Sequence, residues 1–600
     1  MRVLLCALNA KYIHSNLAVH YLREYARFSF DVHVEIEEYT INQHFHEVLR
    51  DIYKKKPDLI GFSCYIWNIS YVERLIVELK KILPETKLWL GGPEVSYHAT
   101  EVLKKYPQLS GIVKGEGEEA FAKILEFQAY QKNPKEIYKE TDKESQKRGY
   151  EKTFEENYME DILGIVYRDE KGEIKETPRV NHIELDSLPF PYKDLSSLEN
   201  RILYYESSRG CPYSCSYCLS SAESKVRFKT LDRVKEDLKV LINNHVAQVK
   251  FVDRTFNCDG RRAREIWKFI QDHDNGKTNF HFEIAGDLLG EEDFELLGTF
   301  RQGLVQFEIG VQSTNPVTLK EINRVMDFSL VKRAVSRLKE SQNIHLHLDL
   351  IAGLPKEDRN SFVESFDQTY QLKAEHLQLG FLKLLKGSLM DNNKETYGLV
   401  VQEHPPYEVL ATKWLDFNEI LRIKTIEEMV EVYYNSGQFR YSIDWLEKHF
   451  SSPFCLYESL GDFYDTKGDA THSHSRERRY EIILEFVKSS AFSGNNEDVH
   501  LKVEEFRQRL ILDFYLRENP KKRPVFAGDE QLTKEEKEAF YKRESMEFRY
   551  LKGYETFDKR KIKKMTHLER INGEVYLFDY LNKNTWKQQG KIHIIKEALR

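Results

Sequence analysis

The chain has 600 residues, of which 41% are hydrophobic and 31% charged, and its formal net charge is −7 at pH 7. A chain of this length exceeds what one hydrophobic core normally supports, so we expect several domains. The negative charge gives no general attraction to nucleic acid, and the absence of an apolar run of about 18 residues predicts no membrane span. Seven cysteines, an odd number, and a first segment typical of a strand favour a reducing, cytoplasmic protein.

The first 125 residues alternate short apolar runs with amphipathic segments. Strands are predicted at residues 2–8, 58–63, 87–92 and 111–115, with helical spacing between them. This alternation predicts an α/β domain with a doubly wound, Rossmann-like parallel sheet, whose ligands bind at the carboxyl ends of the strands. Small residues that let a ligand approach the backbone stand at those ends, namely Ser63, Gly91, Gly92, Gly115 and Gly117.

Residues 126–198 are predicted to connect this domain to the next. Residues 126–160 are charged and weakly patterned, which is typical of a mobile linker or a solvated helix. Residues 164–174 predict a strand–turn–strand hairpin. The prolines of the segment Leu188-Pro-Phe-Pro-Tyr192 then force an extended chain at the end of the linker.

Three of the seven cysteines lie within eight residues, as Cys211, Cys215 and Cys218. Thiolates suit iron–sulfur clusters and zinc. A four-iron cluster held by three cysteines leaves one iron for an outside ligand. A disulfide framework is disfavoured by the length of the chain and the odd cysteine count. A structural zinc site remains the alternative, and it needs a fourth ligand, for which Cys258 is the nearest cysteine.

Residues 199–390 again alternate strand and helix patterns. Six strands are predicted, at residues 202–206, 249–253, 279–285, 305–311, 345–351 and 376–383. This predicts a partial (β/α)6 barrel with its chemistry at the carboxyl ends of the strands. Burying an isolated polar group in such a strand costs free energy unless the group finds a ligand or a neighbouring protein group. The polar residues in or at the ends of these strands are Asp253, Glu283, Gln312 and Asp349, and Arg324 follows the fourth strand.

The cysteine segment resembles the signature of the radical S-adenosylmethionine (SAM) superfamily, with Tyr217 as the aromatic residue before the last cysteine. This resemblance implies that the three cysteines hold a 4Fe-4S cluster whose open iron binds SAM. The polar residues on the later strands resemble the SAM site of the anaerobic coproporphyrinogen oxidase branch. This second resemblance implies that Gln312 and Asp349 form hydrogen bonds with the ribose of SAM. It also implies that Arg324 pairs with the methionyl carboxylate and Glu283 with the methionyl amino group. Gly353 would pack near the adenine.

The first domain resembles the cobalamin-binding domain that precedes many radical SAM cores. The resemblance lies in residues 58–63, 90–94 and 115–118. It implies that the cofactor is bound by Ser63, Gly91, Gly92, Gly115 and Glu116. His14 occupies the place of a cobalt-ligating histidine in an Asp-x-His-x-x-Gly motif, with Tyr12 and Leu17 in place of Asp and Gly. A helix-start histidine on a surface loop is the alternative interpretation.

Residues 391–600 carry helical periodicity and predict a mostly helical domain. This region resembles a C-terminal domain of unassigned function that is attached to a group of cobalamin-type radical SAM proteins. Its last fifty residues are basic, which we interpret as a solvated surface, and a nucleic-acid partner is not expected.

The resemblances together imply an enzyme that uses a 4Fe-4S cluster to cleave SAM to a 5′-deoxyadenosyl radical, with cobalamin as a second cofactor. Methylation of an unactivated carbon is the outcome that we favour. Radical cyclisation or rearrangement without methyl transfer, and a non-catalytic corrinoid or iron–sulfur sensor, remain alternatives. A reductant such as flavodoxin or ferredoxin is the implied partner, the substrate is not identified, and domains are predicted at residues 1–125, 126–198, 199–390 and 391–600.

Overall fold

A computed structural model describes residues 1–29, 32–132, 158–178, 182–222, 225–468, 474–489, 496–517, 519–520, 522–584 and 589–596. The chain folds into two compact units. The first comprises Met1–Leu346, Gly353–Glu357 and Phe381–Asp416, and the second comprises His347–Ala352, Asp358–Gly380 and Phe417–Arg600. No helix among the described residues is long and apolar enough to cross a membrane. Most of the predicted charged linker falls at residues 133–157 and lies outside the described residues.

A seven-stranded sheet opens the first unit. Its strands are β1 Val3–Asn9, β2 Val34–Thr40, β3 Leu59–Ser63, β4 Lys87–Gly91, β5 Gly111–Val113, β6 Ile165–Arg168 and β7 Ile174–Glu176. They lie in the order β2-β1-β3-β4-β5-β6-β7, the first five parallel and the last two antiparallel. The order reverses between β1 and β3, the point at which doubly wound sheets bind their ligands.

Helices cover both faces of this sheet. They are α1 Leu17–Ser29, α2 Phe45–Lys55, α3 Ile69–Ile82, α4 Pro93–Ser96, α5 Ala99–Lys105 and α6 Glu118–Lys132. In α3 the apolar residues recur every three or four positions, so that Val72, Leu75, Ile76 and Leu79 are all buried. Two apolar clusters, one containing Ile76 and the other Phe121 of α6, form the core. The predicted Rossmann-like domain is confirmed, and the hairpin predicted at residues 164–174 extends its sheet.

A second alternation of strands and helices follows the first sheet. Its strands are β8 Ile202–Tyr205, β11 Gln248–Phe251, β12 Asn279–Ile284, β13 Val305–Gln312, β14 His345–Ala352 and β15 His376–Phe381. The short strands β9 Ser208–Arg209 and β10 Arg227–Phe228 form an antiparallel pair after β8. Within the first unit β8, β11, β12 and β13 pair in that order, all parallel. The six predicted strands of the radical SAM-like core are all present.

Helices follow these strands, as a (β/α) architecture requires. They are α7 Leu231–Asn243, α8 Gly260–Asp272, α9 Glu291–Gly298, α10 Pro316–Glu321, α11 Phe328–Glu340 and α12 Arg359–Tyr370. Trp267 of α8 is fully buried, and its ring lies 5.6 Å from that of Phe307 in β13. The first unit ends with α13 Leu389–Asn392, β16 Val400–Val401 and β17 Val409–Ala411.

The C-terminal region of the second unit is mostly helical, as predicted. Its helices are α14 Phe417–Val430, α15 Arg440–Leu446, α16 Pro453–Lys467, α17 Arg476–Lys488, α18 Asn496–Arg517, α19 Lys534–Glu547 and α20 Lys559–Met565. A π-helical turn, Glu431–Asn435, follows α14. The region ends in an antiparallel sheet of β18 Thr566–Ile571, β19 Glu574–Asn584 and β20 Gln589–Ile595, which the sequence analysis did not predict.

Candidate functional site

The loop that carries the three cysteines is held by backbone hydrogen bonds from other segments. The Ser216 amide donates to the Ile322 carbonyl at 2.9 Å, and the Met390 amide donates to the Ser216 carbonyl at 2.8 Å. Cys211 and Cys215 are buried, and Cys218 is half-buried. Among the described residues, no group of three or more His, Cys, Asp or Glu side chains is arranged to hold a metal ion. The assignment of the three cysteines to a 4Fe-4S cluster therefore stays a prediction.

Asp253, at the end of β11, fixes the approach to this loop. Its carboxylate accepts hydrogen bonds from the Ser207 amide at 2.9 Å and from the hydroxyls of Ser207 and Ser208, both at 2.6 Å. Burial raises the pKa of Asp253, while these three donors act against that shift. Two residues further on, Thr255 places its hydroxyl 3.7 Å from the Cys211 thiol. Asp253 is thus a structural acid that positions the segment before Cys211.

Gln312 and Arg324, both predicted to contact SAM, lie together over Gly310. A Cβ at Gly310 would collide with the Gln312 amide nitrogen, and an Arg324 Nη donates to the Gly310 carbonyl. Gln312 has a φ of +68°, which is uncommon for a residue with a side chain. Its Oε1 and the Nε of Arg324 are buried and have no hydrogen-bond partner among the described residues. A buried polar atom left unpaired costs about 1–3 kcal/mol, so these two atoms mark a place for a polar ligand.

Arg324 also brings a positive charge to the cysteine loop. Its Nη1 lies 3.9 Å from the Cys215 sulfur. Burial lowers the pKa of Arg324, but Tyr217 and Cys215 outweigh burial and raise it overall. Burial likewise raises the pKa of the neighbouring Tyr217. A permanently charged guanidinium beside the predicted cluster ligands suits a carboxylate, such as that of methionine in SAM.

The other residues predicted to contact SAM have different surroundings. A carboxylate oxygen of Glu283 lies 3.9 Å from the Lys250 ammonium. In the second unit, a carboxylate oxygen of Asp349 lies 3.1 Å from the Nε2 of His347. Gly353 has a φ of +88°, and a Cβ there would lie only 2.7 Å from a Val409 methyl group. The roles of Glu283, Asp349 and Gly353 toward SAM stay predictions.

A large cavity lies at the carboxyl ends of the strands of the first sheet. Its volume is about 1330 Å³, and its lining includes all the residues assigned to cobalamin, namely Ser63, Gly91, Gly92, Gly115 and Glu116. Tyr204, Arg209 and Arg254 line it as well. The volume exceeds the ~300–1,000 Å³ that is usual for drug-sized ligands, so the cavity has room for a larger ligand, as the predicted cobalamin is. Gly92, with a φ of +110°, leaves no room for a Cβ beside the Cys64 carbonyl.

His14 lines the same cavity and is fixed from three sides. Its ring Nδ1 lies 2.9 Å from the Tyr204 hydroxyl, and its carbonyl accepts a hydrogen bond from the Asn9 amide group at 2.9 Å. On either side of it, the Ser15 amide and the Ile13 carbonyl bond to the backbone of Ile202. A ligating histidine normally has its second nitrogen held in this way. The residues next to His14 in the sequence do not supply this partner; it comes from Tyr204, which is 190 residues away. Cobalt ligation by His14 stays a prediction.

Arg209 joins the loop Gly115–Glu118 of the first domain to the segment that precedes Cys211. Its guanidinium lies 2.5 Å from Glu118, 2.7 Å from Glu206 and 3.6 Å from Glu116. Burial lowers the pKa of Arg209, but Glu118 and Glu206 outweigh burial and raise it. Glu116 also accepts hydrogen bonds from Arg227 and from the Ile183 amide. Sequence analysis missed this cluster; an arginine directly before Gly210 and Cys211 was the available signal.

Three protein families match separate segments of the chain. The B12 binding domain matches residues 3–125, and the radical SAM superfamily matches residues 205–369. A protein of unknown function (DUF4080) matches residues 395–595. The first two matches cover the cavity-lining loops and the cysteine loop described above.

Curated and solved proteins support the same assignment. An uncharacterized methyltransferase of Pyrococcus horikoshii is 23% identical over 382 residues, which are 60% of this chain and 74% of that protein. The cobalamin-dependent radical SAM methyltransferase TokK of Streptomyces tokunonensis is 24% identical over 450 residues, 69% of this chain and 62% of TokK. The cobalamin-dependent S-adenosylmethionine radical enzyme OxsB, solved with aqua-cobalamin and SAM bound, shares the fold with a TM-score of 0.57. That match is 16% identical and covers 85% of this chain and 79% of OxsB. The chain therefore contains a B12-binding domain at residues 3–125 and a radical SAM domain at residues 205–369.

Proposed function

We propose that this protein uses a 4Fe-4S cluster, SAM and cobalamin to methylate an unactivated carbon of its substrate. The observation that carries the proposal is that two buried atoms near Cys215, the Oε1 of Gln312 and the Nε of Arg324, have no hydrogen-bond partner among the described residues. The cobalamin-sized cavity in the same compact unit supports it. A protein of this kind contributes binding, orientation and electrostatics, while its cofactors carry the difficult chemistry.

Each group of residues has a distinct task in this proposal. When bound, a 4Fe-4S cluster supplies the electron that cleaves SAM, and cobalamin supplies a carrier for the methyl group. Cys211, Cys215 and Cys218 would hold the cluster. Arg324 would bind the methionyl carboxylate and Gln312 a ribose hydroxyl, which satisfies the two polar atoms that lack partners.

The protein also shields this chemistry from water. Cys211 is 9% exposed and Cys215 is 6% exposed, so solvent has little access to their sulfur atoms. Because electrostatic interactions strengthen when water is excluded, Arg324 would hold a carboxylate more firmly here than on a surface. The requirement for an electron implies a reductant such as flavodoxin or ferredoxin, in a reducing, cytoplasmic setting.

Anaerobic reconstitution tests the proposal. We expect about four irons per chain. Replacing Cys211, Cys215 and Cys218 together by Ala should abolish iron binding, because the cluster loses its three thiolate ligands.

With SAM labelled in its methyl group and a chemical reductant, the intact protein should release 5′-deoxyadenosine and transfer the label to a compound from a cell extract. Stoichiometric zinc in place of iron would contradict the cluster.

The two alternatives give different outcomes in the same experiment. An intact cluster that releases no 5′-deoxyadenosine would favour a corrinoid or iron–sulfur sensor. Release of 5′-deoxyadenosine with a modified product that carries no label would favour cyclisation or rearrangement. Cobalamin absorbance that is retained after gel filtration would support the role of the first domain.

A further inference from the structure

One face of the strands β8, β11, β12 and β13 is unexpectedly polar. On the face against α8, apolar residues such as Phe282 and Phe307 are buried. The alternate positions are half-buried and polar, and they are Tyr204, Lys250, His281, Glu283, Gln306 and Glu308. Parallel sheets are normally covered and apolar on both faces, and closed barrels are filled mainly by branched apolar side chains. This polar face therefore needs an explanation.

The side chains of the polar face form one connected network. Lys250 donates a hydrogen bond to Glu308 at 3.0 Å, and the Nε2 of His281 lies 3.0 Å from the same carboxylate. The amide nitrogen of Gln306 lies 3.0 Å from the Nδ1 of His281. The strand register sets these contacts, since Lys250 is directly opposite both Tyr204 and His281. Burial raises the pKa of Glu308, but His281 and Lys250 outweigh burial and hold it low, so Glu308 is ionised.

Stability alone does not account for this network. The side chains of Lys250, Glu283 and Glu308 are 24%, 28% and 22% exposed, so three charges are partly removed from water. Desolvating an ion costs several kcal/mol, and apolar replacement of a buried ion pair is often neutral or stabilising. A role in binding does account for it, because half-buried charged groups on a sheet face can form hydrogen bonds and ion pairs with a polar ligand.

The polar face also reaches the cobalamin-sized cavity. Tyr204 belongs to both, because it lines the cavity and its hydroxyl lies 2.9 Å from His14. On its other side, Tyr204 is the cross-strand neighbour of Lys250. A molecule bound on the polar face would therefore lie beside the cavity that is assigned to the cofactor.

We propose that this polar face binds the substrate, and that the substrate presents a hydrophilic, hydrogen-bonding surface and not that of an aliphatic lipid. The inference rests on the proposed function and names the substrate class for it. The carboxylate of Glu308 accepts hydrogen bonds, the ammonium of Lys250 donates, and the hydroxyl of Tyr204 does both, while Glu283 remains assigned to SAM. An aliphatic ligand would displace the water around these connected groups without offering hydrogen bonds in its place, at a cost of about 1–3 kcal/mol for each, and would be rejected.

The test uses the full-length reconstituted protein and SAM with a tritiated methyl group. An extract of cells that lack the gene is separated by chloroform, methanol and water into an organic and an aqueous phase. We expect the protein to transfer label to a compound of the aqueous phase. Label in a lipid of the organic phase would overturn the substrate class while leaving the proposed function intact. Label in neither phase would overturn both the function and the inference that rests on it.

A double variant tests the polar face itself. Lys250→Met together with Glu308→Leu removes both charges, so neither is left buried without a partner. We expect label transfer to fall by about tenfold or more, since at least one charged hydrogen bond to substrate is lost. Iron content and bound cobalamin report whether the variant folds. Label transfer at the wild-type rate in a folded variant would overturn the inference.

An ion pair outside this face provides the matched control. Lys235 of α7 and Glu265 of α8 lie 3.2 Å apart; Glu265 is exposed and Lys235 is half-buried. Lys235→Met together with Glu265→Leu makes the same chemical change away from the polar face. We expect this control to transfer label as the wild type does.

Discussion

Arg324 is the residue on which the predicted SAM site most depends. A guanidinium forms two parallel hydrogen bonds with a carboxylate, while the ammonium of lysine is a single point charge. We therefore expect Arg324→Lys to weaken SAM binding by about 10- to 100-fold, since one charged hydrogen bond contributes about 1.5–3 kcal/mol. Equilibrium dialysis with the reconstituted protein measures this change.

A surface arginine controls for the change of side chain. Arg264 of α8 forms a pair with Asp293 at 3.0 Å and with Glu292 at 2.9 Å, and neither pair touches the cysteine loop. Arg264→Lys should bind SAM with wild-type affinity. Unchanged affinity in Arg324→Lys, at full iron content, would show that Arg324 does not hold the carboxylate.

At the residue scale, the sequence identifies groups that act through local spacing. The three cysteines lie within eight residues, and Gln312 stands at the end of its strand, so both are visible without a structure. The partner of His14 is 190 residues away and that of Arg209 is 91 residues away. No local pattern encodes such contacts, because only the pairing of the strands brings these side chains together.

At the level of elements, long apolar runs were predicted correctly and charged strands were not. The central strands β1, β3 and β4 are nearly all buried, and their sequences are correspondingly apolar. The edge strand β2 contains three glutamates among seven residues, which hides its strand character. The hairpin of β18 and β19 turns at Asn572 and Gly573, both with positive φ. An Asn-Gly turn between strands is a recognised signal, which the helical interpretation of this region overlooked.

Asp513 in α18 should make the local stability of the start of α15 depend on pH. Its carboxylate accepts hydrogen bonds from the Tyr441 amide at 3.0 Å and from the Ser442 amide at 2.8 Å. Burial raises the pKa of Asp513 to about 7. Because the ordinary pKa of Asp is about 3.9, the folded state binds the extra proton between about pH 4 and pH 7. The stability of this element should therefore fall as the pH rises through that window and level off above it.

Hydrogen exchange of the α15 amides measures this local stability. After correction for the intrinsic exchange rate, we expect the free energy of local opening of these amides to be lower at about pH 8 than at about pH 5. Asp513→Asn does not titrate and should lose this dependence. A pH dependence in the variant equal to that of the wild type would exclude Asp513 as its source.

Across the first unit, the loop Gly115–Glu118 and the cysteine loop share one charged contact. Arg209 holds Glu118 of the first domain and Glu206, which follows β8. The same guanidinium precedes Cys211 by two residues and lines the large cavity. One buried ion cluster consequently lies between the two predicted cofactor sites, and we expect a change in one loop to affect the other.

This arrangement predicts that Arg209→Gln impairs both sites together. Removing the guanidinium leaves buried carboxylates without their shared partner, a change that typically costs about 3–5 kcal/mol. We expect iron content and retained cobalamin to fall in parallel, as measured by iron analysis and by absorbance after gel filtration. Gly92→Ala provides the contrast, because its Cβ would collide with the backbone of Cys64 in the first domain. That variant should lose cobalamin and keep its iron. Loss of a single cofactor in Arg209→Gln would show that the two sites are independent, since Arg209 contacts the first loop and precedes the cysteine loop by two residues.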